Sequence, residues 1–226
     1  MAGKIILVGG GKGGPGKSTM AQQIAGYLTV VQNKKVHVFE TDIKQQTTFS
    51  WCQEREMNKD VPFIDYSMPD PREDISDTLT SLKEENDFVV VDAGGFDSDI
   101  QREAMVEADY VLLPIRPKRR DIRSLPNLYE VISQLREINP DTVIRTVINQ
   151  CPVLPSQMGY ILAAKEACES FNLEPVASFI YDRGLYDKCE ADGRTIFDIS
   201  GRDRDLKAEA EITAMARELL YGEEPA

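Results

Sequence analysis

Gly9-Gly10-Gly11-Lys12-Gly13-Gly14-Pro15-Gly16-Lys17-Ser18-Thr19 is the stretch that decides the fold of this chain. It follows the apolar run Lys4–Val8 and leads into a helix-compatible segment, so GxxxxGK[ST] stands in the strand, loop and helix context a phosphate loop requires. Gly11, Gly13, Gly14 and Gly16, with Pro15, let the backbone wrap a phosphate so that amide N–H groups and the helix N-terminus face it. Lys17 then reaches the β and γ phosphates, the Ser18 hydroxyl is a magnesium ligand, and Thr19 supports the α-phosphate. A purely structural Gly-rich turn would need neither Lys17 nor Ser18 at this spacing.

Outward from that loop, short β-branched runs alternate with longer helical patterns. Strands are expected at Lys4–Val8, Val36–Glu40, Pro62–Tyr66, Phe88–Asp92, Tyr110–Ile115, Thr142–Asn149 and Val176–Ile180. Helices are expected at Gly16–Val31, Pro71–Glu85, Ile100–Glu107, Ile122–Ile138, Ser156–Phe171, Leu185–Ala191 and Arg204–Tyr221. The alternation predicts an α/β P-loop NTPase, a predominantly parallel twisted sheet with helices on both faces, as a single domain over 1–226. Phe88-Val89-Val90-Val91-Asp92 is an apolar strand ending in an acid, the form of a Walker B element whose carboxylate faces the magnesium shell. Asp92 is preferred over Asp97, which reads as a loop or cap residue.

Composition narrows the chemistry. With 226 residues and 42% hydrophobic content, the chain can bury a full core. No apolar run approaches the ~20 residues of a membrane span, and MAGKIILVGG leads straight into a strand, so a cytoplasmic protein without a membrane partner is expected. Cys52, Cys151, Cys168 and Cys189 are dispersed, which suggests neither zinc nor an iron–sulfur cluster. His37, the single histidine, lies in an apolar run and reads as structural. A catalytic base must then be a carboxylate or water. The net charge of −12 argues against a nucleic-acid partner. Basic residues nonetheless cluster at Arg116–Arg123 and Arg194–Lys207, and each cluster reads equally as a DNA patch or a solvated face.

Lys12, a second lysine inside KGGPGKST, makes the loop resemble the deviant Walker A group, the ParA and MinD family. The likeness extends along nearly the whole chain. Glu40-Thr41-Asp42 sits where the family has its DxD element, although Ile43-Lys44-Gln45-Gln46 replaces the usual Pro-Gln before Thr47, Thr48 and Trp51. Ala93-Gly94-Gly95-Phe96 replaces a Pro-rich turn. Pro114-Ile115-Arg116-Pro117, with Asp121, resembles the strand and dimer-facing loop. Asn149 matches a position that contacts the adenine edge, a strand-end turn or capping residue being the alternative, and the 180–184 loop would close over the base. Asp192-Gly193-Arg194-Thr195-Ile196-Phe197-Asp198 resembles small plasmid partition proteins of the ParF type.

The resemblance implies an ATP hydrolase, slow and partner-stimulated, with ATP and Mg2+ as cofactors. It implies catalytic roles for Lys12, Lys17 and Asp42, with Asp42 placing the attacking water, and a metal shell of Ser18, Asp42 and Asp92. Lys12 would cross an ATP-dependent homodimer that binds non-specific DNA of the nucleoid, and a ParB-type centromere-binding or adaptor protein would stimulate hydrolysis, so that plasmid or chromosomal DNA is partitioned. No helix-turn-helix segment precedes the first strand, and operator binding is not expected. Two alternatives stay open: a positioning ATPase for a protein complex or a conjugation-linked stability factor, and a nucleotide-gated scaffold with negligible hydrolysis.

Overall fold

A computed structural model describes residues 3–11, 14–70, 72–94 and 99–223. Val- and Ile-rich runs form strands because branched side chains pack well on a pleated surface buried on both faces. The strands are β1 (Lys4–Val8), β2 (Val36–Glu40), β3 (Asp65–Ser67), β4 (Phe88–Asp92), β5 (Tyr110–Ile115), β6 (Val143–Cys151) and β7 (Pro175–Tyr181). They make one seven-stranded sheet in the order β3-β2-β4-β1-β5-β6-β7, parallel at every pairing. The expected P-loop architecture is therefore present.

The helices are α1 (Lys17–Gly26), α2 (Thr47–Met57), α3 (Ile75–Glu85), α4 (Asp99–Val106), the short α5 (Arg119–Ile122), α6 (Leu125–Ile138), α7 (Met158–Ser170), α8 (Gly184–Ala191) and α9 (Leu206–Tyr221). Side chains alternate across a strand. Ile6 and Val8 of β1 thus enter a core with α1, α2, α8 and α9, while Ile5 and Leu7 enter a second core with α3, α4, α6 and α7.

Three expectations need correction. The single helix over 122–138 is two, α5 and α6, because the hydrogen-bond ladder is interrupted at Arg123 and Ser124, where the Ser124 amide bonds back to the Asp121 carbonyl at 3.0 Å. The first helix is α-helical only to Gly26 and widens into a π turn at Tyr27–Val31. Helix α2 was not anticipated at all.

β1 is flanked by β4 and β5, with β2 and β3 out to one side and β6 and β7 to the other. Such a reversal opens a crevice beyond the carboxyl ends of the strands. The opposite rim receives the end of α9: the Tyr110 hydroxyl, at the start of β5, donates to the Leu220 carbonyl over 3.3 Å.

Candidate active site

The loop after β1 enters α1 through Gly16, which caps the helix at φ 85 and ψ 33. That left-handed conformation favours glycine, and a Cβ here would lie 2.4 Å from the Asn149 amide nitrogen. Asn149 Nδ2 donates to the Pro15 carbonyl over 2.7 Å and so ties the end of β6 to the back of the loop. Lys17 is buried, with its Nζ donating to the Gly11 carbonyl at 3.3 Å. Burial lowers its pKa, and the Asp92 and Asp42 carboxylates oppose that shift. An ammonium held in a half-dry loop between two acids is suited to meet an incoming phosphate anion.

A cavity of about 890 Å³ opens over this loop. Gly14, Pro15, Gly16, Lys17, Ser18 and Thr19 line one side, and Glu40–Gln45 with Thr47 and Gly94 line another. Ile100, Gln101, Gln150 and Glu190 complete the wall. The volume falls within the ordinary range for a small-ligand site. Asn149 does not line the cavity; its neighbour Gln150, at φ 51, does. The 180–184 loop is also absent from the described wall, and Arg183 within it instead pairs with Asp205 at 3.1 Å and with Glu211. Gly11 is exposed at the loop's start, while Lys12, Gly13 and Asp97 lie outside the described residues.

The Asp42 side chain is fixed by the turn that follows it. Its Oδ1 accepts from the Lys44 and Gln45 amides at 3.2 and 3.1 Å, and its main-chain carbonyl accepts from the Gln46 N–H at 2.9 Å. The run Ile43–Gln46 is thus a hydrogen-bonded turn that carries Asp42 in the cavity wall. Asp42 Oδ2 faces Gly94, where a Cβ would approach it to 2.5 Å.

Asp92 ends β4 almost completely buried, with Oδ2 accepting from the Thr48 hydroxyl at 2.6 Å. Its Oδ1 is buried without a hydrogen-bond partner among the described residues. Burial pushes its pKa up, and hydrogen bonds from Thr48 and Ser18 and the Lys17 charge pull it back. An orphaned carboxylate oxygen beside the Ser18 hydroxyl and an open phosphate cradle fits a hard divalent cation. Magnesium commonly takes one or two protein oxygens and completes its shell with phosphate and water. No cluster of three or more His, Cys, Asp or Glu residues forms a cage among the described residues.

The basic clusters differ. Arg116 is engaged by Asp121, Nε to Oδ2 at 2.7 Å, whereas Lys118, Arg119, Arg120 and Arg123 are exposed and make no ion pair among the described residues. In the later cluster Arg204 is paired with Glu209 at 2.5 Å, while Arg202 and Lys207 are exposed and make no ion pair among the described residues. The segment 192–198 has a different role: it is bolted to α2. Arg55 donates to the Pro62 and Gly193 carbonyls at 2.8 and 2.9 Å and forms a fork with Asp198, and Trp51 Nε1 donates to the Arg194 carbonyl at 3.0 Å.

Sequence reasoning did not single out Glu40 or Gln150 for this site. Glu40 is the buried acid beneath Asp42, legible only as the first member of the DxD-like triplet. Gln150 adjoins a singled-out Asn but carried no signal of its own.

The family model "ATPase MipZ" matches residues 4–128, more than half of the 226 residues, and spans the phosphate loop, Asp42 and Asp92. The chain belongs to the MipZ family of ATPases. A relative of this MipZ-family chain is maintenance of carboxysome distribution protein A of Halothiobacillus neapolitanus, 26% identical over 92% of this chain and 93% of the relative. Among solved structures, an ATP complex of a McdA variant from Cyanothece superposes with a TM-score of 0.73 at 16% identity, covering 100% of this chain and 98% of that one. MinD from Aquifex aeolicus superposes with a TM-score of 0.71 at 19% identity, covering 99% and 98%. The narrower likeness to ParF-type plasmid proteins is thereby replaced by the broader ParA/MinD grouping that includes McdA and MinD. No helix among the described residues is long and apolar enough to cross a membrane.

Proposed function

We propose that this MipZ-family ATPase is an ATP-driven positioning switch for a large protein assembly. The observation that carries it is that Lys17 and Ser18 of the phosphate loop and Asp42 after β2 line one cavity, with the buried Asp92 of β4 interacting with all three from behind its wall. The phosphate loop and Lys17 bind the triphosphate, Thr19 adds a hydroxyl on the α-phosphate side, and Ser18 with Asp92 holds magnesium, Asp42 lying close by. A magnesium ion held by these residues would supply charge neutralisation to the bound triphosphate. Asp42, with Oδ1 committed to its own turn and Oδ2 open, accepts a hydrogen bond from the attacking water.

ATP closes a homodimer across which Lys12 reaches the partner's phosphates, and slow, adaptor-stimulated hydrolysis reopens it. The dimer holds the nucleoid through sequence-indifferent phosphate contacts, made by Lys118, Arg119, Arg120 and Arg123, which cluster in one segment and are unpaired among the described residues. The carboxysome-distribution relative supports a protein assembly as cargo. Partition of plasmid or chromosomal DNA is the other cargo of the same cycle.

Light scattering tests the switch. Asp42→Ala with ATP is expected to accumulate as a dimer that hydrolyses little; a monomer in every nucleotide state overturns the reading. A titration with unrelated DNA sequences at two salt concentrations tests the nucleoid contact. Salt-sensitive binding with ATP alone is expected, and absence of binding in every state removes DNA from the cycle.

A further inference from the structure

Glu40 ends β2 directly beneath the cavity and is 1% exposed, yet its two carboxylate oxygens serve two different segments. Oε1 accepts the Asp42 amide at 2.8 Å, and Oε2 accepts the Thr48 amide at 3.0 Å. Thr48 lies in the first turn of α2, whose N-cap residue Gln46 makes no side-chain cap bond. Glu40 therefore satisfies an otherwise unpartnered helix donor from below, where a carboxylate is favoured by the helix dipole. The same side chain fixes the backbone from which Asp42 projects. Residues 42–48 form a loop whose two ends hang on one buried acid.

Thr48 extends this link, because its hydroxyl donates to Asp92 Oδ2 at 2.6 Å. One connected path then runs from Asp42 N–H through Glu40 and Thr48 to Asp92. It joins the water-placing and metal-facing carboxylates without passing through the ligand.

We propose that Glu40 is a positioning residue for hydrolysis: by accepting the Asp42 and Thr48 amides together, it sets the distance of the Asp42 carboxylate from the γ-phosphate. This rests on the role assigned to Asp42 above. Both Glu40 oxygens are taken by these backbone amides, so its effect on hydrolysis runs through Asp42. A structural cap of α2 would account for the Thr48 bond alone; the Asp42 bond is what extends the role to chemistry. An amide in place of the carboxylate keeps the shape but presents an NH2 donor to one of two N–H donors. The loop must then release either Asp42 or Thr48.

The test compares Glu40→Gln, Glu40→Asp and Asp42→Asn with the wild-type chain by steady-state ATP turnover, ATP affinity and thermal midpoint. Glu40→Gln is expected to lose about tenfold or more in kcat, a loss in keeping with a displaced catalytic group. ATP affinity should stay within about threefold, since the phosphate loop is untouched. Glu40→Asp keeps the charge but shortens the reach, so its kcat should fall between those of Glu40→Gln and wild type. Should Glu40→Gln fail to fold, Glu40→Asp carries the test, with lowered kcat and retained affinity expected and unchanged kcat overturning the proposal. Wild-type kcat in Glu40→Gln while Asp42→Asn is inactive overturns the role of Glu40 alone. Equal losses of affinity and kcat that follow the thermal midpoint reduce Glu40 to a helix cap. Wild-type kcat in Asp42→Asn removes the Asp42 reading, and the proposal with it.

Discussion

The Thr48 hydroxyl donates to Asp92 Oδ2 over 2.6 Å, which joins the first turn of α2 to the last residue of β4. Asp92 is the more demanding partner, since its other oxygen is buried and unsatisfied. Thr48→Val keeps the shape and deletes this donor, leaving the buried carboxylate with less hydrogen bonding. A stability loss of about 1–3 kcal/mol is expected in urea unfolding without nucleotide. Saturating ATP and magnesium should restore part of it, because binding only the native state raises stability. An unchanged midpoint without nucleotide would show the hydroxyl to be dispensable.

Gly94 abuts the acid assigned to water placement. A methyl group at 94 would sit 2.5 Å from Asp42 Oδ2 and 2.9 Å from its Cβ, so Gly94→Ala must displace the carboxylate. Misplacement by about 1 Å can cost roughly 100-fold in rate, and a kcat loss on that order is expected with little change in ATP affinity. Wild-type turnover in Gly94→Ala would show that Asp42 does not need its present place.

Arg55 and Asp198 form an ion pair in which both side chains are at most 2% exposed. Asp198 also accepts from the Thr195 amide and hydroxyl at 2.8 Å each. Asp198→Asn strands the Arg55 charge in the core. Breaking a buried pair from one side costs about 3–5 kcal/mol, and the urea midpoint should fall accordingly. A loss below about 1 kcal/mol, the usual ceiling for an exposed pair, would remove the pair from the list of structural ties.

Asn149 offers a choice between two roles. Its amide supports Pro15 from behind the loop, so Asn149→Ala should weaken ATP and GTP binding alike, by about tenfold for one lost hydrogen bond. Competition binding with both nucleotides reads the difference. A loss confined to ATP would return Asn149 to the adenine edge.

Most of the sheet and the phosphate loop were legible because their signals are local. β1, β2, β4 and β5 stand at the expected residues, each a short apolar run bounded by loop residues or helix patterns. β3 shifted to Asp65–Ser67 because an edge strand pairing with β2 alone has its limits set by that neighbour. Helix α2 escaped because Thr47–Met57 carries Thr, Ser, Gln, Glu and Arg with only a few apolar residues. Its inner face is Trp51, Cys52 and Arg55, and the last of these is buried by partners more than a hundred residues away. Glu40 was read only as part of a triplet, since no spacing rule reveals that one carboxylate will collect two amides, those of Asp42 and Thr48. The roles of Lys17, Ser18, Asp42 and Asp92 remain proposals about a geometry that brings them together.

The cavity opens at the carboxyl rim of the sheet, while β1 begins and α9 finishes at the other rim, where Tyr110 meets Leu220. A fluorescent reporter joined beyond either of these elements would therefore hang on the far side of the molecule from the cavity.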